Sequence, residues 1–285
     1  MSNPKVLVVT TTYNRPNLLR LTTGWLLKDR RDEFTYWIFD DGSTYKDVHT
    51  YLEEMLSKGV AIHVSTLKRS YLGRPTLAVA NQRCGLARRD VLTLALSVDP
   101  PYDYIFLKDD DVLVSSATVH ECVGDLQALI QEGHKVGALT LFGLATLGEH
   151  FSFGTSMFAQ LSYTGEAHVV FDRRALDVVG VHFGDQPKGF ADVQFASLKS
   201  AGYSYCTRTK PPYQVQHLGV GPTGSVIHSE GHAPFWCVRG YYTEKDHQLE
   251  VAGFDHVLFS RVASRVGGEL AAEAYLKEKG VPHHA

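Results

Sequence analysis

The segment YIFLKDDD, residues 104–111, decides the fold of this chain, because four apolar residues run directly into a lysine and three aspartates. A short continuous apolar run is typical of a strand buried on both faces of a parallel sheet. Adjacent aspartates repel each other and do not help a chain to fold, so their position after such a strand indicates a binding site. The alternative is a solvated acidic turn before a helix that begins near Ser115 and Ser116.

The three aspartates, Asp109, Asp110 and Asp111, suit a divalent cation. Mg²⁺ and Mn²⁺ prefer carboxylate oxygens and also bind diphosphate groups. A cation held here would remove the repulsion between the carboxylates and could neutralise charge on a bound diphosphate.

Strands and helices alternate along the first half of the chain, on both sides of this segment. Apolar runs predict strands at residues 6–9, 36–39, 60–64, 104–107 and 136–142, and periodic apolar residues predict helices from Pro16 onward and at 48–56, 77–96 and 119–130. This alternation predicts right-handed crossovers and an α/β fold with a mostly parallel sheet flanked by helices. The second half of the chain is less regular.

Polar segments follow three of the predicted strands. The segment TTTYNR, residues 10–15, follows the first strand, DDGS, residues 40–43, follows the second, and the three aspartates follow the fourth. Ligands of such sheets bind beyond the carboxyl ends of the strands, so we expect the three segments to meet at one edge. Asp40 and Asp41 also have a purely structural interpretation, since Asp-Gly is common turn chemistry.

Length and composition are those of an ordinary globular protein. The chain has 285 residues, 44% of them hydrophobic and 21% charged, which suits one large α/β domain or two small ones. Its net charge of -3 gives no overall electrostatic case for nucleic acid or anionic lipid as a partner. A local basic strip, which we interpret as a solvated face with one or two phosphate contacts, comprises Lys68, Arg69, Arg74, Arg83, Arg88 and Arg89.

Cysteine usage and the N-terminal sequence bear on the compartment. The four cysteines, Cys84, Cys122, Cys206 and Cys237, form no Cys-x-x-Cys pair, which favours buried thiols in a reducing compartment. The sequence shows no secretory signal before the first strand, and no window is apolar and long enough to span a bilayer. We therefore expect a cytoplasmic protein.

In their order and spacing, these segments resemble the inverting GT-A glycosyltransferases, specifically those of family 2. The segments that carry the resemblance are residues 8–16, 38–44, 104–111, 170–176, 189–195 and 199–202. They are similar to that family's nucleotide loop, second strand tip, metal-binding DxD segment and acceptor-side half. The resemblance runs from about residue 5 to residue 220, and it implies the Rossmann-like GT-A sheet with a smaller mixed region on the acceptor side.

The resemblance implies a nucleotide site and a metal site at the strand ends. The residues implied for the nucleotide-sugar pocket are Thr12, Tyr13, Arg15, Asp40 on the base, Arg74 on the diphosphate or base, Asp109 on the ribose or metal, and Asp110. The metal would be Mn²⁺ or Mg²⁺. The DxD spacing selects Asp111 as its ligand, whereas an ungapped alignment from Leu107 selects Asp110. His217 resembles the C-terminal histidine that completes this site in some GT-A enzymes, although a lone histidine also serves structural roles.

Asp192 is the general base that the resemblance implies. An inverting transfer needs a carboxylate to take the proton of the acceptor hydroxyl as its oxygen attacks opposite the leaving phosphate. Asp192 begins a helix predicted over residues 192–201, so a helix cap is the alternative role. The family usually has Glu-Asp where this chain has Ala191 and Asp192, so one acidic group of the pattern is missing.

The implied reaction is transfer of a sugar from a UDP- or dTDP-sugar to an acceptor hydroxyl. Two alternatives stay open. One is a nucleotidyltransferase, although residues 10–15 lack the glycine-rich loop usual there. The other is a non-catalytic protein that binds nucleotide-sugars or carbohydrate. The acceptor is also open: a glycan, a lipid-linked sugar, a small molecule, a protein or a modified nucleic acid, the last supported by the basic strip alone.

The chain divides, on this interpretation, into two halves of one domain and an extension. Residues 1–115 form the nucleotide-sugar-binding half, and residues 116–245 form the acceptor-binding and catalytic half of the same GT-A domain. Residues 246–285 form a C-terminal helical extension. The periodicity of residues 257–277 predicts a helix that packs on the domain or pairs with a second copy in a homo-oligomer, and docking on a membrane is a lesser alternative.

Overall fold

The computed structural model describes residues 3–13, 15–28, 34–65, 77–141, 150–161, 168–185, 191–210, 213 and 215–217. Its strands are β1 (Val6–Thr12), β2 (Thr35–Asp40), β3 (Ala61–Val64), β4 (Tyr104–Asp109), β5 (Val112–Val114), β6 (Val136–Thr140), β7 (His150–Phe153), β8 (Ser156–Gln160), β9 (Val169–Asp172), β10 (Ser204–Lys210) and β11 (Val215–His217). Its helices are α1 (Pro16–Leu27), α2 (Lys46–Ser57), α3 (Leu77–Leu96), α4 (Ser116–Gln131), α5 (Arg173–Val179) and α6 (Asp192–Ser200). The strands and helices predicted in the first half are confirmed, and the predicted helix that begins at Asp192 is confirmed as well.

One large sheet organises these elements. Its strand order is β3-β2-β1-β4-β9-β6-β10-β8-β7, and a separate small sheet pairs β11 with β5. The strands β1, β2, β3 and β4 run parallel to one another. The antiparallel pairs of the large sheet all involve β7, β8 or β9, which belong to the second half of the chain. The sheet is therefore parallel in the part formed by β1 to β4 and mixed in the remainder, as the α/β GT-A expectation requires.

The alternation of side chains along the strands gives the sheet two apolar faces. On one face, Val6 and Val8 of β1 and Phe106 of β4 pack against α1, α2 and α4. On the other face, Leu7 and Val9 pack with residues of α3, α5 and α6. Because both faces are covered, β1 and β4 are apolar at every position until they reach their polar ends.

Local sequence features fix where the helices begin. Pro16 occupies the first turn of α1, where its missing N–H costs nothing. Ser115 caps α4, and its hydroxyl accepts a hydrogen bond from the backbone N–H of Thr118 at 3.1 Å. The helix predicted to begin near Ser115 is thus confirmed, and it starts just after the three aspartates and β5.

Candidate functional site

The polar ends of β1, β2 and β4 lie side by side, as the sequence predicted. Thr12 is in register with Asp40 of β2, and Thr11 is in register with Asp109 of β4. The backbone N–H of Asp41 donates to the carbonyl of Thr12 at 2.9 Å, which ties the two strand ends together beyond the sheet. The residues proposed for the nucleotide pocket on these three strands therefore form one continuous edge.

The pleat of β4 turns Asp109 toward α3. Thr11 donates its hydroxyl hydrogen to Oδ1 of Asp109 at 3.0 Å, and the Arg88 guanidinium of α3 forms an ion pair with Oδ2. Burial would raise the pKa of Asp109, but Arg88 and the nearby His168 outweigh burial and hold the pKa below its usual value. Asp109 is therefore ionised and held from two sides.

Asp110 points into the protein and is fully buried. Its Oδ2 accepts a hydrogen bond from the Thr12 hydroxyl at 2.7 Å, and its backbone carbonyl accepts one from the Thr22 hydroxyl at 2.9 Å. Burial raises the pKa of Asp110 to about 7, although Arg15 opposes this shift. Asp110 thus joins the turn after β4 to β1 and α1, whatever else it binds.

Arg15 bridges the second and third aspartates. One terminal nitrogen of its guanidinium lies 2.7 Å from Oδ1 of Asp110, and the other donates to Oδ2 of Asp111 at 2.8 Å. Burial would lower the pKa of Arg15, but the two carboxylates outweigh it and raise the pKa above its usual value. Arg15 is thus a permanent cation among the residues that the sequence assigned to the metal.

Lys108, which precedes the aspartates, is a second cation enclosed at this edge. Its side chain is fully buried, and its ammonium group donates to the backbone carbonyl of Asp109 at 3.0 Å. Burial lowers the pKa of Lys108 to about 8, and the three aspartates oppose the shift. The ammonium therefore depends on the neighbouring carboxylates to keep its charge.

Asp40, predicted to contact the nucleoside base, forms the turn after β2 in this structure. Its carboxylate accepts hydrogen bonds from the backbone N–H of Ser43 at 3.1 and 3.2 Å. Gly42 supplies the positive φ of 80° that this turn requires. The turn role of the Asp-Gly segment is confirmed, and the contact with a base stays a prediction. Tyr13, also predicted for the pocket, directly follows β1 and is half-buried.

Asp192 is the first residue of α6, and Ala191 is the N-cap position. The helix-cap role for Asp192 is therefore wrong, because its carboxylate lies inside the helix start rather than before it. Its Oδ1 is buried and has no hydrogen-bond partner among the described residues. Burial raises the pKa of Asp192 above its usual value.

The packing of α6 places Asp192 toward the site. The C-terminal end of α6 lies at the amino end of β6, where a Cβ on Gly137 would be 3.0 Å from the Leu198 side chain. The helix rises about 1.5 Å per residue, so its first residue lies toward the carboxyl ends of the strands. Ala191 packs in the same apolar cluster as Ala87 of α3 and Leu107 of β4. Asp192 thus shares a sheet face with Asp109 and Arg88.

A buried side chain holds the start of α6 in place. The Gln194 side chain accepts a hydrogen bond from the backbone N–H of His182 at 2.7 Å and donates one to the carbonyl of Gly180 at 3.0 Å. Phe195 stacks on Tyr205, with 4.2 Å between the ring centroids. These contacts fix the first turn of α6, which carries Asp192.

His217 lies at the end of β11, and its backbone is in antiparallel register with Val112, the residue after Asp111. The side chain of His217 is outside the described part of the structure. Upstream, the Tyr213 hydroxyl donates to Asp125 of α4 at 2.7 Å, and the Arg208 guanidinium lies over the Tyr213 ring at 4.1 Å. This buried cluster holds the segment that leads to His217. Arg74, another predicted pocket residue, lies outside the described residues.

Sequence reasoning missed part of this site. Thr11, Thr22, Lys108 and His168 were assigned no role, and Arg88 was placed in a solvated basic strip. That placement is wrong, since Arg88 is only 2% exposed. A signal was present, because Arg88 lies within the apolar stripe of α3 that contains Ala87, Val91 and Leu92. An arginine on the buried face of a helix needs a carboxylate partner.

The donor atoms at the end of β4 suit a hard divalent cation, because they are carboxylate oxygens without sulfur among them. Among the described residues, no three His, Cys, Asp or Glu side chains are grouped to hold a metal ion. Asp110 and Asp111 face Arg15 instead, and the His217 side chain lies outside this search. The cysteines of the described part, Cys84, Cys122 and Cys206, are free thiols.

Comparison with known proteins rests on structure, since no family model and no curated protein sequence matches the chain. The mannosyltransferase PcManGT from Pyrobaculum calidifontis, solved with GDP-Man and Mn²⁺, is similar over 97% of this chain and 70% of its own, with 16% identity and a TM-score of 0.50. The chain has the GT-A fold.

Two further solved structures are similar over less of the chain. TarS 1-349 from S. aureus, in complex with UDP-GlcNAc, matches 73% of this chain and 57% of its own, with 20% identity and a TM-score of 0.47. Full TarS is matched over 36% of its length, at 18% identity and a TM-score of 0.48. The GT-A chain described here thus spans about a third to three fifths of these proteins. No helix in its described part is long and apolar enough to cross a membrane.

Proposed function

We propose that the chain is a metal-dependent inverting glycosyltransferase that moves a sugar from a UDP- or dTDP-sugar to an acceptor hydroxyl. The observation that carries the proposal is the position of Asp192 on a GT-A sheet. Its buried Oδ1, without a partner among the described residues, lies on the same sheet face as Asp109 and toward the strand ends where the three aspartates lie. The site thus offers two kinds of acidic side chain. The aspartates at the end of β4 are fixed by cationic side chains, and Asp192 is suited to accept a proton.

The nucleotide is assigned to the edge formed by β1, β2 and β4. Thr12, Tyr13 and Arg15 line it from the end of β1, and Asp40 contacts the base from the end of β2. Asp109 lies beside the ribose or the metal, where Thr11 and Arg88 fix its orientation. A side chain held from two sides is pre-organised, so it need not lose further freedom when the donor binds.

Asp110 and Asp111, together with His217, would hold Mn²⁺ or Mg²⁺, and the bound cation would offset the charge that develops on the leaving diphosphate. The oxygen donors of the two aspartates fit this role. Asp111 is the better candidate for the main ligand, because Asp110 already uses Oδ2 for the Thr12 hydroxyl and lies deeper.

Asp192 is the general base in this proposal. Its carboxylate takes the proton of the acceptor hydroxyl at Oδ1 while the acceptor oxygen forms the new bond to the anomeric carbon and the bond to the diphosphate breaks. The raised pKa of Asp192 favours this role, because a carboxylate whose pKa lies nearer to the working pH is the more effective base.

A thermal-shift screen of UDP, dTDP, GDP and ADP, with and without Mn²⁺, tests the donor site. We expect UDP or dTDP with Mn²⁺ to stabilise the protein by about 2.7 kcal/mol at a concentration of about a hundred times Kd, and free uracil or thymine to have no effect. EDTA should abolish the shift. A flat response to all four nucleotides in the presence of Mn²⁺ would rule out the proposed donor.

A further inference from the structure

The three aspartates are already matched by cationic side chains of the chain itself. Arg88 pairs with Asp109, and Arg15 contacts both Asp110 and Asp111. The buried ammonium group of Lys108 interacts electrostatically with all three carboxylates. Three acidic and three basic side chains therefore share this strand end, and their contacts relieve the repulsion between neighbouring aspartates without a bound ion.

Arg15 occupies one oxygen of each of the two carboxylates that would hold a divalent cation. Its two terminal nitrogens lie 2.7 Å from Oδ1 of Asp110 and 2.8 Å from Oδ2 of Asp111. Mg²⁺ binds carboxylate oxygens at about 2.1 Å, so an ion on these atoms would lie against a guanidinium of like charge. In a poorly solvated pocket this repulsion is strong, and Arg15 must leave one or both carboxylates before the cation is held.

The surroundings of Arg15 allow its guanidinium to move away from Asp110 and Asp111. Its backbone is fixed at the start of α1, where its carbonyl accepts a hydrogen bond from the Leu19 N–H at 3.0 Å. Its side chain is 18% exposed, whereas the Asp110 side chain is fully buried. The guanidinium therefore has an open side while its partners are fixed. A diphosphate would be its natural new partner, since a guanidinium donates bidentate hydrogen bonds to phosphate as well as to carboxylate.

We propose that Arg15 is an internal counter-ion of Asp110 and Asp111 and that it exchanges these carboxylates for the donor diphosphate when the divalent cation enters. The inference rests on the proposed function for the identity of the diphosphate. This exchange makes cation binding depend on the nucleotide. The cation alone competes with Arg15 for the carboxylates and binds weakly. When the nucleotide is bound, its diphosphate pairs with Arg15, so the carboxylates are released and bind the cation more tightly. By linkage, the cation strengthens nucleotide binding by the same factor.

Mn²⁺ binding to the full chain, measured by electron paramagnetic resonance of the free ion and by calorimetry at one fixed pH, tests this exchange. In the wild type, we expect saturating UDP or dTDP to tighten Mn²⁺ binding by at least about tenfold. We expect Arg15→Met to bind Mn²⁺ without nucleotide at least about tenfold more tightly than the wild type, and to lose most of the coupling between ion and nucleotide.

Arg20→Met is the matched control, since Arg20 also lies on α1 but pairs with Glu54 at the protein surface. It should bind Mn²⁺ as the wild type does. Arg15→Lys keeps the charge and should also bind Mn²⁺ alone weakly. If Arg15→Met does not give the wild-type circular dichroism spectrum, Arg15→Gln takes its place under the same criterion.

The outcomes separate this inference from the proposed function. Equal Mn²⁺ affinity of the wild type and Arg15→Met, without nucleotide, would overturn the counter-ion role even if Mn²⁺ and UDP bind together. Tight Mn²⁺ binding by Arg15→Lys would also overturn it, because charge would then not be the cause. If no nucleotide binds but Arg15→Met binds Mn²⁺ more tightly, the competition between Arg15 and the cation stands and the proposed donor fails.

Discussion

Asp109 at the end of β4 and Asp192 at the start of α6 are acidic groups treated in opposite ways by the same fold. Asp109, Asp110 and Asp111 each contact at least one cationic side chain, and the first two also accept hydrogen bonds from threonines of β1. Asp192 has a buried oxygen with no partner among the described residues, and its pKa is raised by burial.

This difference in hydrogen bonding and pKa determines which chemistry each region can perform. The Asp109 carboxylate is a poor proton acceptor, because Arg88 holds its pKa below the usual value and protonation would break the ion pair, but it provides a fixed negative charge for a cation. A buried carboxylate oxygen without a hydrogen-bond partner among the described residues, such as Oδ1 of Asp192, costs stability and keeps its lone pair available. Under the proposed function, the β4 end therefore serves electrostatic binding and Asp192 serves proton transfer.

The largest expected effect comes from replacing Asp192. We expect Asp192→Asn to lower kcat by about a thousandfold, because asparagine cannot accept the proton of the acceptor hydroxyl. Mn²⁺-dependent nucleotide binding in the thermal-shift assay should be unchanged. Turnover is measured as release of nucleotide diphosphate from the donor, which also separates an enzyme from a non-catalytic binding protein.

Asp185→Asn is a matched control for this change, because Asp185 lies before the same helix but pairs with Arg89 at the surface. It should keep kcat within about threefold of the wild type, since exposed ion pairs contribute little. Wild-type turnover by Asp192→Asn would remove the contrast between the two regions, and with it the proposed mechanism.

The next effect tests whether the β4 carboxylates depend on their cations. Arg88→Met should lower the free energy of unfolding by about 3 kcal/mol, because it leaves the Asp109 carboxylate without its main partner in a mostly buried site. Urea denaturation at neutral pH measures the change. Asp109→Asn in the same chain should restore part of the loss, since it removes the unpaired charge.

Arg89 offers the comparison for Arg88 one residue along the same helix. It contacts Asp185 at 3.3 Å with both side chains more than a third exposed. Arg89→Met should therefore change the free energy of unfolding by less than about 1 kcal/mol. Similar losses for Arg88→Met and Arg89→Met would show that the buried pair contributes no more than a surface pair.

The smallest expected effect is that of Asp192→Asn on the free energy of unfolding, and it depends on pH. Burial raises the pKa of folded Asp192, so its contribution to stability is present below the unfolded pKa of about 3.9 and is lost as pH rises through the folded value. An asparagine at this position would mimic the neutral form at every pH. We therefore expect Asp192→Asn to be more stable than the wild type at neutral pH, by less than about 1 kcal/mol because the side chain is partly exposed to solvent.

Melting temperatures of the two proteins across the acid range measure this difference, which should shrink toward zero as the pH falls below about 4. A less stable Asp192→Asn at neutral pH would mean that the ionised carboxylate is favoured by the fold. The contrast with Asp109 would then be false, since the fold would stabilise the charged form of both carboxylates.

Most of the fold was predictable from sequence because its signals are local. Apolar runs gave the buried strands of the first half, and Pro16 and Ser115 marked helix starts that the structure confirms. The strands that were not predicted are β5, β7, β8, β9, β10 and β11. The pattern of β7 and β8 is weaker because they lie toward one edge of the sheet, where a strand needs fewer apolar residues.

The acidic residues of the site were predictable from the sequence, and their cationic partners were not. An aspartate after an apolar strand is visible in sequence, because the strand end itself defines the position. The partner of that aspartate is not, because Arg88 and Asp109 come from different elements, α3 and β4. Arg88 was mistaken for a surface residue since charge alone does not reveal which face of a helix it occupies.

The sequence by itself determined that polar ends of β1, β2 and β4 form an acidic edge, since strand length and chain direction follow from local patterns of apolar residues. Only the tertiary structure decided that Arg15 joins Asp110 to Asp111 and that Asp192 starts a helix on the face occupied by Asp109. Arg15 and Asp111 are 96 positions apart, and they meet because β1 and β4 are neighbours in the sheet. Electrostatic pairing acts over a few ångströms in space, so it depends on packing that no local pattern encodes.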